Sequence, residues 1–331
     1  MSDGYRIFGA ELSPYSVKVR SYFRYKAIPH EWIERNNDSM EEYKKYAKLP
    51  LIPAVATPEG EGLQDSTPIL EKLEAKFPEP SIHPADPALA FLSALVEEFG
   101  DEWGNKWMFH YRWARPADQQ SAGGRLVRGM MPGLDDAQHE AMTGQIVERM
   151  LGRVWFVGSS EQTAPVIEGS FREFLPQLDA HLAERAYLFG ARPAFADFGL
   201  WGQIYNAWTD PTGHELIAGS SHVVPWIERM LEPKGEGDFE PWAALEATLM
   251  PILRDHVAGL FLPWSQANAV ALASGDEEFT VQLRSGSWTQ KPQKYHARSL
   301  AALRKRYAEV VDRSTLDPIL ERAGCLALLQ A

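Results

Sequence analysis

The chain has 331 residues, 45% of them hydrophobic and 24% charged, which is enough to bury a sizeable core and to divide into two or more domains. A net charge of −12 excludes the basic footprint on which nucleic-acid binding depends, and no apolar run approaches the ~20 residues of a membrane span. A single cysteine, Cys325, excludes an internal disulfide and fits a reducing, cytoplasmic setting, and the polar opening Met1-Ser2-Asp3-Gly4 does not read as a signal peptide.

In chain order, Tyr5-Arg6-Ile7-Phe8 is a short strand. Leu12-Ser13-Pro14-Tyr15-Ser16 follows and leads into an amphipathic helix through Tyr25, with Pro14 suited to the first turn. A hydroxyl at such a junction faces the free N–H groups of the helix, whose dipole favours an anion. Residues 30–34 alternate like a half-buried strand. Ser39-Met40-Glu41-Glu42 reads as a capping box for a helix to about Ala47. Pro50-Leu51-Ile52-Pro53 turns into a strand over 54–57. The glycine turn Glu59-Gly60-Glu61-Gly62 precedes a brief strand at Leu63-Gln64. Asp65-Ser66-Thr67-Pro68 then opens a helix with Ile69, Leu70, Leu73 and Phe77 on one face. Strand, helix, strand, helix, strand, strand, helix predicts a parallel crossover followed by an antiparallel pair, an α/β thioredoxin-like domain over residues 1–80.

Pro78, Pro80, Pro84 and Pro87 form a stiff linker. Beyond it the pattern is helical over 88–113, 135–152, 164–185, 195–208 and 223–231, which predicts an all-α domain spanning 88–232. Trp103, Trp107 and Tyr111 form an aromatic stripe at helical spacing, and such a stripe serves either as core or as a pocket wall. Residues 233–237 read as a second linker. The extension to 331 is mainly helical, broken by a hairpin over 279–288 with a Ser285-Gly286 turn. A basic helix over 295–311 presents Arg304-Lys305-Arg306 as a solvated face, Gly324 caps a helix, and Cys325 is a buried structural thiol.

Three local motifs in order resemble the glutathione transferase superfamily. Ser13-Pro14-Tyr15-Ser16 is similar to its serine-type active-site loop. Ile52-Pro53 looks like its cis-proline motif, and Asp65-Ser66 like its acidic-serine pair. The resemblance covers roughly residues 5–232. Ala194-Phe195-Ala196-Asp197 looks like the family's helix-start signature, with Ala194 in place of the usual hydroxyl residue, so only the Asp197 half of that cap survives.

The resemblance implies glutathione as co-substrate, with no metal. It implies Ser13 as the catalytic hydroxyl, Ile52, Pro53, Asp65 and Ser66 as the glutathione-binding residues, and a small hydrophobic electrophile. Tyr15, Trp107, His110 and Tyr111 are candidates for the electrophile pocket. It also implies detoxification as the role and a homodimer as the tendency. A free thiol has a pKa of about 8.5, and one hydrogen bond to the anion supplies ~1.5–3 kcal/mol, so Ser13 and the helix N-terminus suffice to hold a thiolate without a general base. Without a cysteine at position 13, a mixed disulfide through the protein's own thiol is excluded there. Alternatives stay open. Ser13 also reads as a plain N-cap, Tyr15 and Ser16 are rival hydroxyls, and Asp65-Ser66 reads as an ordinary helix start. The chemistry is either transfer to an electrophile or a glutathione-dependent lyase, dehalogenase or isomerase reaction. A non-catalytic binding or assembly protein is the rival class.

Overall fold

The computed structural model describes residues 4–331, so Met1, Ser2 and Asp3 of the polar opening lie outside the described residues. β1 (Tyr5–Gly9) pairs in parallel with β2 (His30–Glu34) across the crossover helix α1 (Pro14–Tyr25). α2 (Met40–Tyr46) leads to β3 (Ala54–Ala56), antiparallel to β1. β4 (Gly62–Gln64) then lies antiparallel to β3, giving the order β2-β1-β3-β4, and α3 (Ser66–Lys76) follows. Side chains alternate across the sheet. Ile7 faces the main core with Val17, Val55 and Ile69, while Phe8 faces Tyr43 of α2. Both strand residues are therefore buried, as a sheet covered on two sides requires.

The expected capping box at α2 does not form. Ser39 has helical backbone angles, and its hydroxyl donates to the Glu34 carbonyl at 2.7 Å, while Glu42 pairs with Arg6. A sequence pattern for a cap was outcompeted by a turn that ties β2 to the helix. The proline linker is also anchored. Ile82 is fully buried, its carbonyl accepts from the Phe195 N–H at 2.9 Å, and its N–H donates to Glu74 at 3.0 Å.

Asp86 caps α4 (Pro87–Phe99), which runs through a π-helical turn, Gly100–Gly104, into α5 (Asn105–Ala114). α6 (Pro116–Met130) and α7 (Asp136–Leu151) form a hairpin. α8 (Ala164–Leu182), the central α9 (Phe195–Trp208), α10 (Pro211–Ile217) and α11 (Val223–Arg229) complete the helical domain. Asp197 keeps its half of the cap: it accepts from the N–H groups of Ala194 and Leu188 and from the Trp226 indole, each at 2.9 Å.

The extension comprises α12 (Trp242–Ile252), a π-helical stretch (Leu253–Phe261), α13 (Leu262–Ser274), the β5–β6 hairpin (Phe279–Leu283, Gly286–Gln290), α14 (Lys294–Glu309), α15 (Leu316–Ala323) and α16 (Leu326–Gln330). It does not build its own core, because Leu253, Trp264, Trp288 and Leu300 join the cluster that holds the helical domain. Nor is the 233–237 stretch a free linker: the Tyr187 hydroxyl donates to the Lys234 carbonyl at 2.7 Å, and the Glu236 N–H donates to Ala191 at 3.1 Å. The basic face of α14 is not simply solvated. Arg306 pairs with Glu71 of α3 at 2.8 Å, and Arg304 donates to the Leu328 carbonyl at 2.7 Å.

Candidate functional site

Strand register brings the three sequence motifs to one end of the strands, the edge formed by the C-termini of β1 and β4 and the N-terminus of β3. β1 ends at Gly9, four residues before Ser13. Ala54, next to Pro53, pairs with Phe8 on one side and with Gln64, next to Asp65, on the other. Neighbouring strands lie about 4.8 Å apart, so the loop bearing Ser13, the Ile52-Pro53 segment and the start of α3 share that edge.

Ser13 caps α1 with extended backbone angles, and its Oγ accepts the Ser16 N–H at 3.2 Å. A hydroxyl that accepts still has a proton to give, and among the described residues nothing takes that of Ser13. The loop is pinned from the helical domain: Arg112 of α5 donates to the Leu12 carbonyl at 2.8 Å, and Asp210 at 2.7 Å holds the guanidinium. At Gly202 of α9 an added Cβ would lie 2.6 Å from the Pro14 carbonyl, so only glycine admits this approach of α9 to the start of α1. The rival hydroxyls are engaged or enclosed. Tyr15 donates to the Asp101 carbonyl at 3.1 Å, and burial, reinforced by Asp101, pushes its phenol well above the usual range. Ser16 is fully buried.

The Ile52–Pro53 peptide is cis. Among the described residues neither main-chain group of Ile52 is hydrogen-bonded, so both remain open to an extended ligand. Gln64 fixes the preceding loop: it donates to the carbonyls of Leu49 at 2.8 Å and Leu51 at 3.0 Å and accepts from the Lys48 N–H at 2.7 Å. Asp65 has φ +73° and ψ 120°, and its side chain makes no cap bond to α3. A residue with a Cβ pays about 1–3 kcal/mol for such a conformation, which persists where surrounding structure imposes it. Burial raises the Asp65 carboxyl, with Lys18 pulling the other way. Ser66 is buried as the first residue of α3.

Lys18 joins these parts. It is fully buried on α1 and donates to Glu97 at 2.5 Å, Asp101 at 2.6 Å and Thr67 at 3.0 Å, linking α1, α3 and α4. Burial disfavours its ammonium, but the two carboxylates outweigh that and hold it charged. Asp101 in turn is pushed up to about 7, by burial first, against the pull of Lys18.

Three expected pocket residues belong to the core instead. Trp107 is 1% exposed, donates to Ser170 at 2.8 Å and packs 4.7 Å from the Phe174 ring. His110 lies between Ser159 at 2.8 Å and Glu168 at 3.2 Å, and Tyr111 is fully buried 5.5 Å from Phe171. The stripe faces α8, where Trp107 meets Phe171 and Phe174 and Tyr111 meets Phe171. A cavity of about 290 Å³ beside the Ser13 loop is lined by Leu12, Leu126, Met130, Tyr205, Arg35 and Arg128. Its α6 wall was not foreseen; the spacing of Leu126 and Met130 was the only signal, diluted by the polar, glycine-rich run before it. Among the described residues no group of three or more His, Cys, Asp or Glu is arranged to hold a metal ion, and no described helix is long and apolar enough to cross a membrane.

Residues 7–81 match the family model of the glutathione S-transferase N-terminal domain, and residues 143–229 that of the C-terminal domain. No curated protein matches. Similar solved structures include the beta-etherase LigF of Sphingobium sp. strain SYK-6, at 17% identity and TM-score 0.48, covering 74% of this chain and 98% of that one. A glutathione S-transferase of Methylobacillus flagellatus with glutathione bound matches at 19% identity and TM-score 0.43, over 74% and 98%. One of Methylobacterium radiotolerans, in complex with glutathione sulfonate, matches at 18% and 0.43, over 74% and 93%. With both domain models matched in order, on a mixed sheet followed by a helical domain, the chain belongs to the glutathione S-transferase superfamily.

Proposed function

We propose that this protein binds glutathione along the sheet edge and uses it as a nucleophile. The observation that carries the reading is the convergence there of a spare hydroxyl proton at Ser13, the open main chain of Ile52 and the start of α3 at Asp65-Ser66. The cysteinyl main chain pairs with Ile52, and the γ-glutamyl end lies at Asp65 and Ser66. The thiol loses its proton to water. Ser13 Oγ–H and the first amides of α1 hold the resulting thiolate, while the cap bond from Ser16 keeps the hydroxyl aimed. Sulfur then attacks an electrophile in the neighbouring cavity, forming a thioether while the leaving group departs with its electron pair. That cavity has apolar walls at Leu12, Leu126 and Met130, which suit a hydrophobic substrate. Isothermal calorimetry of the full chain with glutathione tests the reading. One site at millimolar affinity or better is expected; no heat and no thermal shift at millimolar glutathione would remove it.

A further inference from the structure

The second cavity of interest lies at the far end of the same edge, under the extension. It measures about 230 Å³. Asp65, Glu98, Asp101 and Glu102 form one side; Tyr295, Arg298 and Ser299 of α14 form the other. The helix is fastened in place by His296 on Glu102 and by Arg306 on Glu71. Residues 294–309 lie outside both matched family stretches.

The lining carries both signs of charge with capacity to spare. Asp101 is 5% exposed and gives one carboxylate oxygen to Lys18, while Oδ1 is buried with no partner. Ser299 Oγ is likewise buried without a partner. Among the described residues Arg298 has no ion pair, although each neighbouring arginine on α14, Arg304 and Arg306, is engaged. Carboxylates on one wall, with a guanidinium and a hydroxyl on the other, complement a zwitterionic α-amino-acid head: an ammonium toward the first, a carboxylate toward the second.

Resting on the glutathione reading, we infer that Arg298 and Ser299 of the C-terminal extension bind the α-carboxylate of the γ-glutamyl head, whose ammonium lies toward Asp65 and Asp101. The extension is thereby a working part of the site.

Binding of two tripeptides tests this: glutathione, and its analogue with 4-aminobutanoyl in place of γ-glutamyl, which lacks only the α-carboxylate. Wild type should prefer glutathione by about tenfold or more, the scale of one charge-assisted contact. Arg298→Ala should bind glutathione about as weakly as wild type binds the analogue and leave analogue affinity unchanged, with Ser299→Ala similar but smaller and Arg298→Lys partly restoring the preference. Arg298 is exposed, so its variants keep their fold. Equal weakening of both ligands, or an unchanged preference, would overturn this assignment alone. Failure of wild type to bind either ligand would remove it together with the reading beneath it.

Discussion

At the scale of single residues, the site is built from groups that satisfy their local structure and still have something left to offer. Ser13 caps α1 by accepting a hydrogen bond and retains its proton. Asp65 shows the opposite economy. It keeps a left-handed φ of +73° at the start of α3, with no cap bond in return. Glycine adopts that conformation freely. Asp65→Gly should therefore raise stability to chemical denaturation by about 1 kcal/mol, the relief of strain less the added entropy of the unfolded chain. The same change should weaken glutathione binding at least about tenfold, because it removes a charged partner. Lower stability with unchanged affinity would show that Asp65 serves the fold and not the ligand.

Between elements, the contacts that matter are those that close α5 against the extension. Lys106 of α5 is 1% exposed. Its ammonium lies 3.6 Å from the centre of the Trp264 ring and 5.1 Å from that of Trp288, and it donates to the Val157 carbonyl at 3.1 Å. The indole faces favour the cation, but burial dominates and pushes the group down to about 7, with Glu102 opposing. In an unfolded chain the same amine titrates near ~10.4. Between those values the folded state holds fewer protons than the unfolded one, so stability rises with pH. Relative to Lys106→Met, wild type should gain stability from pH 7 to 9 by at most about 1.4 kcal/mol per pH unit. Urea denaturation of both proteins at the two pH values checks this, and a difference independent of pH would show that the aromatic cage holds the charge throughout.

Across the whole molecule, what could be read from the sequence was what is local along the chain. The three motifs, the crossover followed by an antiparallel pair, the hairpin (its turn at Arg284-Ser285, one residue before the expected Ser285-Gly286) and the αL cap at Gly324 each depend on a few consecutive residues. The substrate wall did not, because an aromatic stripe has the same spacing whether it faces a cavity or another helix. For Trp107 and Tyr111, packing against α8 decided it. The extension was equally opaque. Its contribution at Tyr295, Arg298 and Ser299 arises only when α14 folds back onto α3 and α4, more than two hundred residues upstream. Fusion of its apolar side with the central core ties that return to the stability of the entire chain.

The central claim is that Ser13 holds the sulfur of bound glutathione as an anion. Thiolate absorbance of the glutathione complex, followed against pH, measures this directly. In wild type the bound thiol should titrate about one to two units below the free value near 8.5, the equivalent of one hydrogen bond to a charged group. Ser13→Ala should return it toward that value, and Ser13→Asp, which caps α1 equally well but brings a negative charge, should raise it further. A bound-thiol pKa unmoved in both variants would contradict the account and leave Ser13 as a helix cap.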